Sequence, residues 1–231
     1  MEEERKENTE NTECEKKSIF NIIGTIIIAL FVTLVFAVAI TVIVSKPKET
    51  IVSRPTYGYT RLDGNNRLVG YDDMDVLLSD LSKDDDKTRY LFIGYSGCPW
   101  CQQYVETYDK YARENNEDLL YYTKLTEIKG FKEYQEEDGT WNINYKTEDY
   151  KKLVMFLENS GALTDNECVG EHVTVSKPWI YVPKLFAIKN GEVIKYLSGE
   201  VEGHVKVDGK LPEMDDTQQK TLDEIVSGFF K

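Results

Sequence analysis

The chain has 231 residues, of which 41 are acidic and 28 are basic, so its formal net charge at pH 7 is −13. Such an acidic balance argues against binding to nucleic acid and against tight docking on anionic lipid, because both partners are polyanions. The region 68–231 is long enough for one well-packed domain and too short for two comfortable ones.

The N-terminal region predicts a membrane anchor. Residues 1–17 are rich in Glu and Asn and lack hydrophobic periodicity, so we expect a disordered tail. Residues 18–45 carry no charged side chain, and their apolar core exceeds the roughly 20 residues that a helix needs to cross a bilayer. A cleaved signal peptide is the alternative, but the stretch is too long and no small-residue cleavage site follows it. Residues 46–67 contain prolines and glycines typical of a linker.

The orientation of this single-pass anchor depends on the basic residues that flank it. Lysines and arginines nearly balance on the two sides of the apolar stretch, so the positive-inside rule alone does not decide. Lys16 and Lys17 directly before the span favour a cytoplasmic N-terminus. We therefore expect the chain in the cell membrane, with tail 1–17 in the cytoplasm and domain 68–231 outside it.

Helical and extended patterns alternate along the domain. The apolar spacing and the capping residues first predict a helix from Asp72 to Leu81, a strand from Tyr90 to Ile93 and a helix after Cys101. A strand from Leu119 to Leu125 and a helix near Thr147 to Asn159 follow. The last elements are a hairpin from Lys184 to Leu197, with its turn at Asn190-Gly191, and a helix from Asp215 to Phe230. This alternation indicates an α/β domain.

Cys98-Pro99-Trp100-Cys101 lies between the strand ending at Ile93 and the helix that follows. Two cysteines three apart at the start of a helix can close a disulfide and reopen it by exchange. A thiolate at a helix N-terminus is stabilised by unpaired backbone N–H groups and the helix dipole. The pattern therefore predicts Cys98 as the attacking sulfur and Cys101 as the resolving sulfur.

Two other roles for the cysteine pair remain open, a zinc site and a structural disulfide. Zinc needs a second ligand pair, and the remaining candidates are Cys14, Cys168, His172 and His204, of which only Cys168 with His172 has a plausible spacing. Both histidines are expected at the surface. Cys168 is expected to be a buried thiol, with a regulatory partner of the cysteine pair and an intermolecular link as the alternatives. We predict no metal and no organic cofactor, since the sequence has no nucleotide-binding glycine fingerprint.

Residues 68–230 resemble the thioredoxin superfamily in the order strand, Cys-x-x-Cys, helix, strand, helix, Val182-Pro183, hairpin and terminal helix. The resemblance implies a thioredoxin fold, a central mixed sheet flanked by helices, with a cis peptide bond between Val182 and Pro183 beside the sulfurs. In that family this loop pairs with the substrate backbone, so Pro99, Trp100, Val182 and Pro183 are implied to bind substrate.

This sequence departs from the family at three points. The buried acid of thioredoxins falls on Phe92, and Lys124 resembles the family's lysine but lacks that acid as its partner. The Pro99-Trp100 dipeptide supplies no cation, which favours a reductase or isomerase over an oxidase, although Val182 resembles some oxidases. The spacing to Pro183 implies an insertion before the cis-proline, at 130–145 and 163–177.

The expected function is therefore membrane-anchored thiol-disulfide exchange with exported proteins, with a membrane redox protein as electron partner. The long spacing is similar to that of anchored thioredoxin-like accessory proteins of Gram-positive bacteria, some of them linked to bacteriocin export. A noncatalytic accessory or chaperone subunit that binds exported peptides is the alternative. Trp141, Tyr145 and Trp179 either line a client groove or fill core.

Overall fold

The computed structural model describes residues 53–198 and 201–231. The predicted tail 1–17, the predicted membrane span 18–45 and Cys14 lie outside these residues. In the described part of the chain, none of the helices combines the length and the apolar character that crossing a bilayer requires.

The domain is a mixed α/β structure built on one five-stranded sheet. Its strands, in spatial order, are β1 (Leu68–Tyr71), β3 (Leu119–Tyr122), β2 (Thr88–Ile93), β8 (Lys184–Lys189) and β9 (Glu192–Leu197). The first three run parallel, and β8 and β9 each run antiparallel to the preceding strand in that order. The predicted hairpin is confirmed, and its turn residues Asn190 and Gly191 both have positive φ, as a tight hairpin turn requires.

Helices pack on both faces of this sheet. They are α1 (Met74–Leu81), α2 (Pro99–Glu114), α3 (Leu125–Ile128), α4 (Glu148–Leu157) and α5 (Asp216–Phe229). Alternate residues of β2 point to opposite faces, so Tyr90 and Phe92 join the core under α2 and α5, whereas Leu91 and Ile93 join the core under α1 and α4. Burial on both faces explains why residues 90–93 of β2 are a continuous apolar run.

The predicted helix starts agree with the observed caps. Asp73 accepts a hydrogen bond from the Val76 backbone N–H at the start of α1, and Asp215 forms a capping box with Gln218 at the start of α5. The predicted strand from Leu119 to Leu125 is wrong at its end. The strand stops at Tyr122, because the chain then turns into the short helix α3.

Two hairpins outside the central sheet occupy the region before Pro183. They are β4 (Phe131–Gln135) with β5 (Trp141–Tyr145), and β6 (Thr164–Val169) with β7 (Thr174–Trp179). The sequence pattern located this extra segment at 130–145 and 163–177 without predicting its strands.

The described part of the predicted linker, residues 53–67, packs on the domain. The Tyr59 ring is 1% exposed and contacts the rings of Phe92 and Tyr121. The Gln102 side chain of α2 donates to the Gly58 carbonyl at 3.1 Å and accepts from the Thr60 N–H at 3.0 Å. This segment therefore covers the core beneath the start of α2.

Candidate active site

Cys98 is the N-cap of α2 and has an extended backbone, with Pro99 in the first turn. Proline suits this position because its missing N–H would have no partner inside the helix. The Cys98 sulfur accepts a hydrogen bond from the Cys101 backbone N–H at 3.3 Å. The sulfur thus replaces the oxygen of an ordinary capping side chain and lies at the positive end of the helix.

This environment lowers the pKa of the Cys98 thiol from 9.0 to about 7. The largest cause is a hydrogen bond from the Cys101 side chain; burial opposes it, and the backbone N–H groups of Cys101 and Trp100 and the charge of Lys129 add to the lowering. A thiol with a pKa near ambient pH is about half thiolate there and is well suited to attack a disulfide.

Cys101 lies in the opposite environment. Its residue is fully buried, and burial, followed by the neighbouring Cys98, raises the pKa of its thiol far above the ordinary value. The two thiols therefore differ in acidity: Cys98 ionises near neutral pH, and Cys101 keeps its proton. The residues themselves are both buried, with Cys98 3% exposed and Cys101 0% exposed.

The Phe92 ring belongs to an aromatic cluster in the same core as Cys101. Its ring packs against those of Tyr59, Tyr108 and Tyr121, with centroid separations of 5.7 to 5.8 Å. A Cβ added at Gly94 would lie 2.6 Å from Phe92 Cζ and 3.1 Å from Cys101 Sγ. Glycine is therefore required where the chain leaves β2, a constraint that the sequence analysis missed.

Val182 and Pro183 lie at the entrance to β8, and the peptide bond between them is cis, as the family resemblance implied. β8 pairs with β2, and Ile93 is opposite Lys184, so the chain segments that carry Pro183 and the cysteines begin at adjacent strand ends. Val182 packs against the core cluster that contains both cysteines.

The dipeptide between the cysteines is partly open to solvent. Pro99 is exposed and Trp100 is half-buried. The Lys206 ammonium stands 4.8 Å from the centre of the Trp100 ring, which is within cation–π range. The loop that follows β9 therefore contacts this dipeptide.

No protein-family model and no curated protein sequence matches this chain. Inference about its function therefore depends on the sequence pattern and the geometry of the site.

Two lysines in the segment that follows β3 have different surroundings. Lys124 is half-exposed, and its ammonium donates to the Asp72 carbonyl at 3.0 Å. Lys129 follows α3, donates to the Ile180 carbonyl at 2.7 Å, and has a pKa lowered by burial to about 8. The charges of Cys101 and Cys98 act on it. Sequence reasoning missed Lys129, since no local pattern distinguishes it from other lysines.

The aromatic residues of the two hairpins pack mainly on one another. Trp141 stacks on His172 with ring centroids 3.7 Å apart, and Tyr145 and Trp179 both contact the Phe131 ring. These contacts favour the core role over an open groove. Glu133 joins the hairpins, because its carboxylate accepts the backbone N–H groups of residues 171–173 and contacts the His172 ring at 3.0 Å.

The other candidate metal ligands contact residues other than Cys98 and Cys101. Cys168 is buried, as predicted, its thiol donates to the Asn166 carbonyl at 3.4 Å, and burial raises its pKa. His172 is exposed, as predicted. His204 is not, since it is 5% exposed and contacts the Tyr104 hydroxyl and the Pro212 carbonyl. The described residues include no group of three or more side chains suited to hold a metal.

Proposed function

We propose that this protein is a membrane-anchored thiol-disulfide oxidoreductase with a thioredoxin fold, acting outside the cytoplasm on exported proteins. One observation carries the proposal: Cys98 caps a helix with a lowered thiol pKa, while Cys101, one turn later, is buried and protonated. Exchange through a mixed disulfide begins with attack by a thiolate, and Cys98 is the sulfur that ionises more readily.

The fold supports this proposal through its order of elements. Three features are compatible with a thioredoxin fold. The sheet is mixed with strand order β1-β3-β2-β8-β9, helices cover both of its faces, and Cys98 lies in the segment that follows the central strand β2. The two hairpins before Pro183 then correspond to the insertion. Pro99, Trp100, Val182 and Pro183 would contact the client, with the Val182 backbone pairing with an extended client strand.

In the reaction, the Cys98 thiolate attacks a client disulfide and one client sulfur leaves with the bonding electrons. Cys101 then attacks the Cys98 sulfur, the client's second sulfur leaves, and the pair becomes a disulfide. The client gains two electrons and two protons, and the protein loses both. A membrane redox protein would return the electrons to the Cys98–Cys101 pair.

The direction of electron flow follows from the pKa of Cys98 only weakly. A thiol pKa of about 7 is the value typical of reducing members of such motifs, whereas strong oxidants have values near about 3.5. We therefore favour a reductase or isomerase. A measured reduction potential near about −270 mV would support that choice, and one near about −120 mV would make the protein an oxidase.

The decisive experiment uses the full-length chain in detergent with a disulfide-bonded test protein. We expect Cys98→Ser to abolish reduction of the test protein and Cys101→Ala to accumulate mixed disulfides, while the matched control Cys168→Ser has no effect. If Cys98→Ser keeps the cellular role and substitutions around Pro183 remove it, the protein is a peptide-binding accessory subunit.

A separate experiment tests the proposed orientation in the membrane. Protease added outside intact cells should remove the domain; protection would refute the proposed orientation.

A further inference from the structure

Gln102 joins the start of α2 to two other segments of the chain. Its side-chain amide donates to the Ser96 carbonyl at 2.6 Å and to the Gly58 carbonyl at 3.1 Å. Its side-chain oxygen accepts from the Thr60 backbone N–H at 3.0 Å and from the Thr60 hydroxyl at 3.2 Å. An amide group has two N–H donors and two acceptor sites, so every hydrogen-bonding site of this side chain is used.

The loop between β2 and α2 presents Cys98, and Gln102 holds it on both sides of a glycine. A Cβ at Gly97 would meet no atom closer than 3.7 Å, so the loop is not tightly packed there, and glycine allows many backbone conformations. After Gly97, the Cys98 carbonyl accepts from the Gln102 backbone N–H at 3.0 Å. Before Gly97, the Ser96 carbonyl accepts from the Gln102 side chain.

The turn at residues 56–59 supports the other end of this arrangement. A backbone hydrogen bond of 2.9 Å closes the turn, and its central residues, Tyr57 and Gly58, both have positive φ, as in a type I′ turn. Positive φ is uncommon for a tyrosine, and strained backbone persists only where its surroundings fix it. The Tyr57 hydroxyl accepts from the Gly70 N–H of β1 at 3.0 Å, which anchors the turn to the central sheet.

The turn also touches the loop directly. A Cβ added at Gly58 would lie 2.9 Å from Ser96 Oγ and 3.2 Å from Ser96 Cβ, closer than a side chain there can approach without moving its neighbour. Ser96 is therefore bound to the turn through the Gln102 amide and lies against it at Gly58. Two contacts of different kinds connect the turn with the residue two positions before Cys98.

We propose that Gln102 is a positioning residue for thiol-disulfide exchange: it ties the turn at 56–59 to the loop at Ser96 and so holds the Cys98 sulfur at the N-terminus of α2. This inference rests on the proposed exchange function. The turn lies within residues 46–67, which the sequence predicts as a linker. Part of that segment then belongs to the active site.

Position matters because the groups that stabilise the Cys98 thiolate lie at one place. The sulfur accepts the Cys101 backbone N–H at 3.3 Å, and the effect of a helix N-terminus declines within the first turn of the helix. When the loop is released, the sulfur spends part of its time away from this N–H group, and the pKa of Cys98 rises. A rise of about half a unit to one unit lowers the thiolate fraction at pH 6 about three- to tenfold.

The test measures the pH midpoint for alkylation of Cys98 by iodoacetamide, in the full-length chain with Cys14 and Cys168 replaced by serine. Gln102→Met removes the side-chain hydrogen bonds to the loop and the turn without changing the charge. We expect its midpoint to rise by about half a unit to one unit. Gln103→Met is the matched control. It removes the bond from the neighbouring glutamine to the Pro212 carbonyl, so it should lower stability and leave the midpoint native.

The titratable groups that act on Cys98 are the same in the native chain and in these variants. They are Cys101, Lys129, Tyr59 and Tyr95. Burial raises the pKa of both tyrosines, so they stay neutral at physiological pH. Because neither substitution alters any of these groups, a shifted midpoint reports the position of the Cys98 sulfur.

Gly58→Ala tests the turn without changing Gln102. Its Cβ presses on Ser96, whereas Gly161→Ala, the control, has a similar φ of +70° and meets nothing within 4 Å. We expect a raised midpoint in Gly58→Ala alone. A native midpoint in Gln102→Met, or an equal rise in Gln103→Met, overturns the positioning role. A native midpoint in Gly58→Ala overturns the part assigned to the turn.

Reduction of the disulfide-bonded test protein gives a second readout. In Gln102→Met it should be about three- to tenfold slower than native at pH 6 and approach the native rate at pH 9, where Cys98 is ionised in both chains. An equal loss at both pH values overturns the proposal, because it indicates general damage to the fold. Cys98→Ser decides the exchange function separately: reduction that persists in that variant refutes exchange, whatever the midpoint of Gln102→Met.

Discussion

Replacing Cys101 with alanine tests how the thiolate of Cys98 is stabilised. The pKa of Cys98 is lowered from 9.0 to about 7, and two pKa units correspond to about 2.7 kcal/mol in favour of the thiolate. The Cys101 side-chain hydrogen bond is the largest cause and is lost in the variant, whereas the backbone N–H at 3.3 Å remains. We therefore expect the pKa of Cys98 to rise by about one unit, which lowers its thiolate fraction at pH 6 about tenfold.

The assay is the rate of alkylation of Cys98 by iodoacetamide as a function of pH, followed by mass spectrometry with Cys14 and Cys168 replaced by serine. Cys101→Ser is the matched control, because its hydroxyl retains a hydrogen-bond donor at the same position. Its midpoint should remain closer to 7 than that of Cys101→Ala. An unchanged or lower midpoint in Cys101→Ala would refute the assignment of this hydrogen bond as the main cause.

The same shift predicts how stability depends on pH in the reduced protein. The pKa of folded Cys98 lies below its unfolded value, so ionisation of Cys98 stabilises the fold fully above about pH 9. That contribution decreases as pH falls toward about 7 and is absent below it. Denaturant unfolding under reducing conditions should therefore show a loss of stability on acidification in the native chain that is smaller in Cys98→Ser.

Two further substitutions test the packing around the site and the joint between the hairpins. Gly94→Ala places a Cβ 2.6 Å from Phe92 Cζ, and overpacking of this kind costs about 1 to 3 kcal/mol of folding stability. Thermal unfolding of this variant should therefore begin at a lower temperature than in the native chain. Gly97→Ala is the control and should be neutral, because its Cβ would lie 3.7 Å from the nearest atom. Glu133→Gln removes the charge that accepts three N–H groups, so amide exchange at 171–173 should accelerate about tenfold. Unchanged exchange there would mean that Glu133 does not hold the turn.

The elements that the sequence predicted well are those whose pattern is local. β2 is apolar on both faces because it is the middle strand of the sheet, and α2 and α5 show one apolar face each. The β8–β9 hairpin carries Asn190-Gly191, whose backbone conformation few other pairs adopt. Burial and turn chemistry therefore determined both position and type for these elements.

The hairpins β4–β5 and β6–β7 were missed because each pairs only with itself and exposes much of its surface. Their apolar residues do not alternate cleanly, so polarity dominates the local pattern. Gly94 and Lys129 were missed for another reason. A side chain at Gly94 would crowd Cys101, and the charge of Lys129 acts on the pKa of both cysteines. Neither relation is recorded by spacing along the chain.

The charge near the cysteines affects which redox state the fold prefers. A buried carboxylate at position 92 would repel a thiolate at Cys98 or Cys101, whereas the Phe92 ring is neutral and Lys129 attracts one. Favouring the ionised thiol stabilises the reduced pair relative to the disulfide and moves the reduction potential toward oxidising values. If Lys129 supplies that attraction, Lys129→Met should have a more negative potential than the native chain. An equal or less negative value would show that Lys129 does not stabilise the reduced pair.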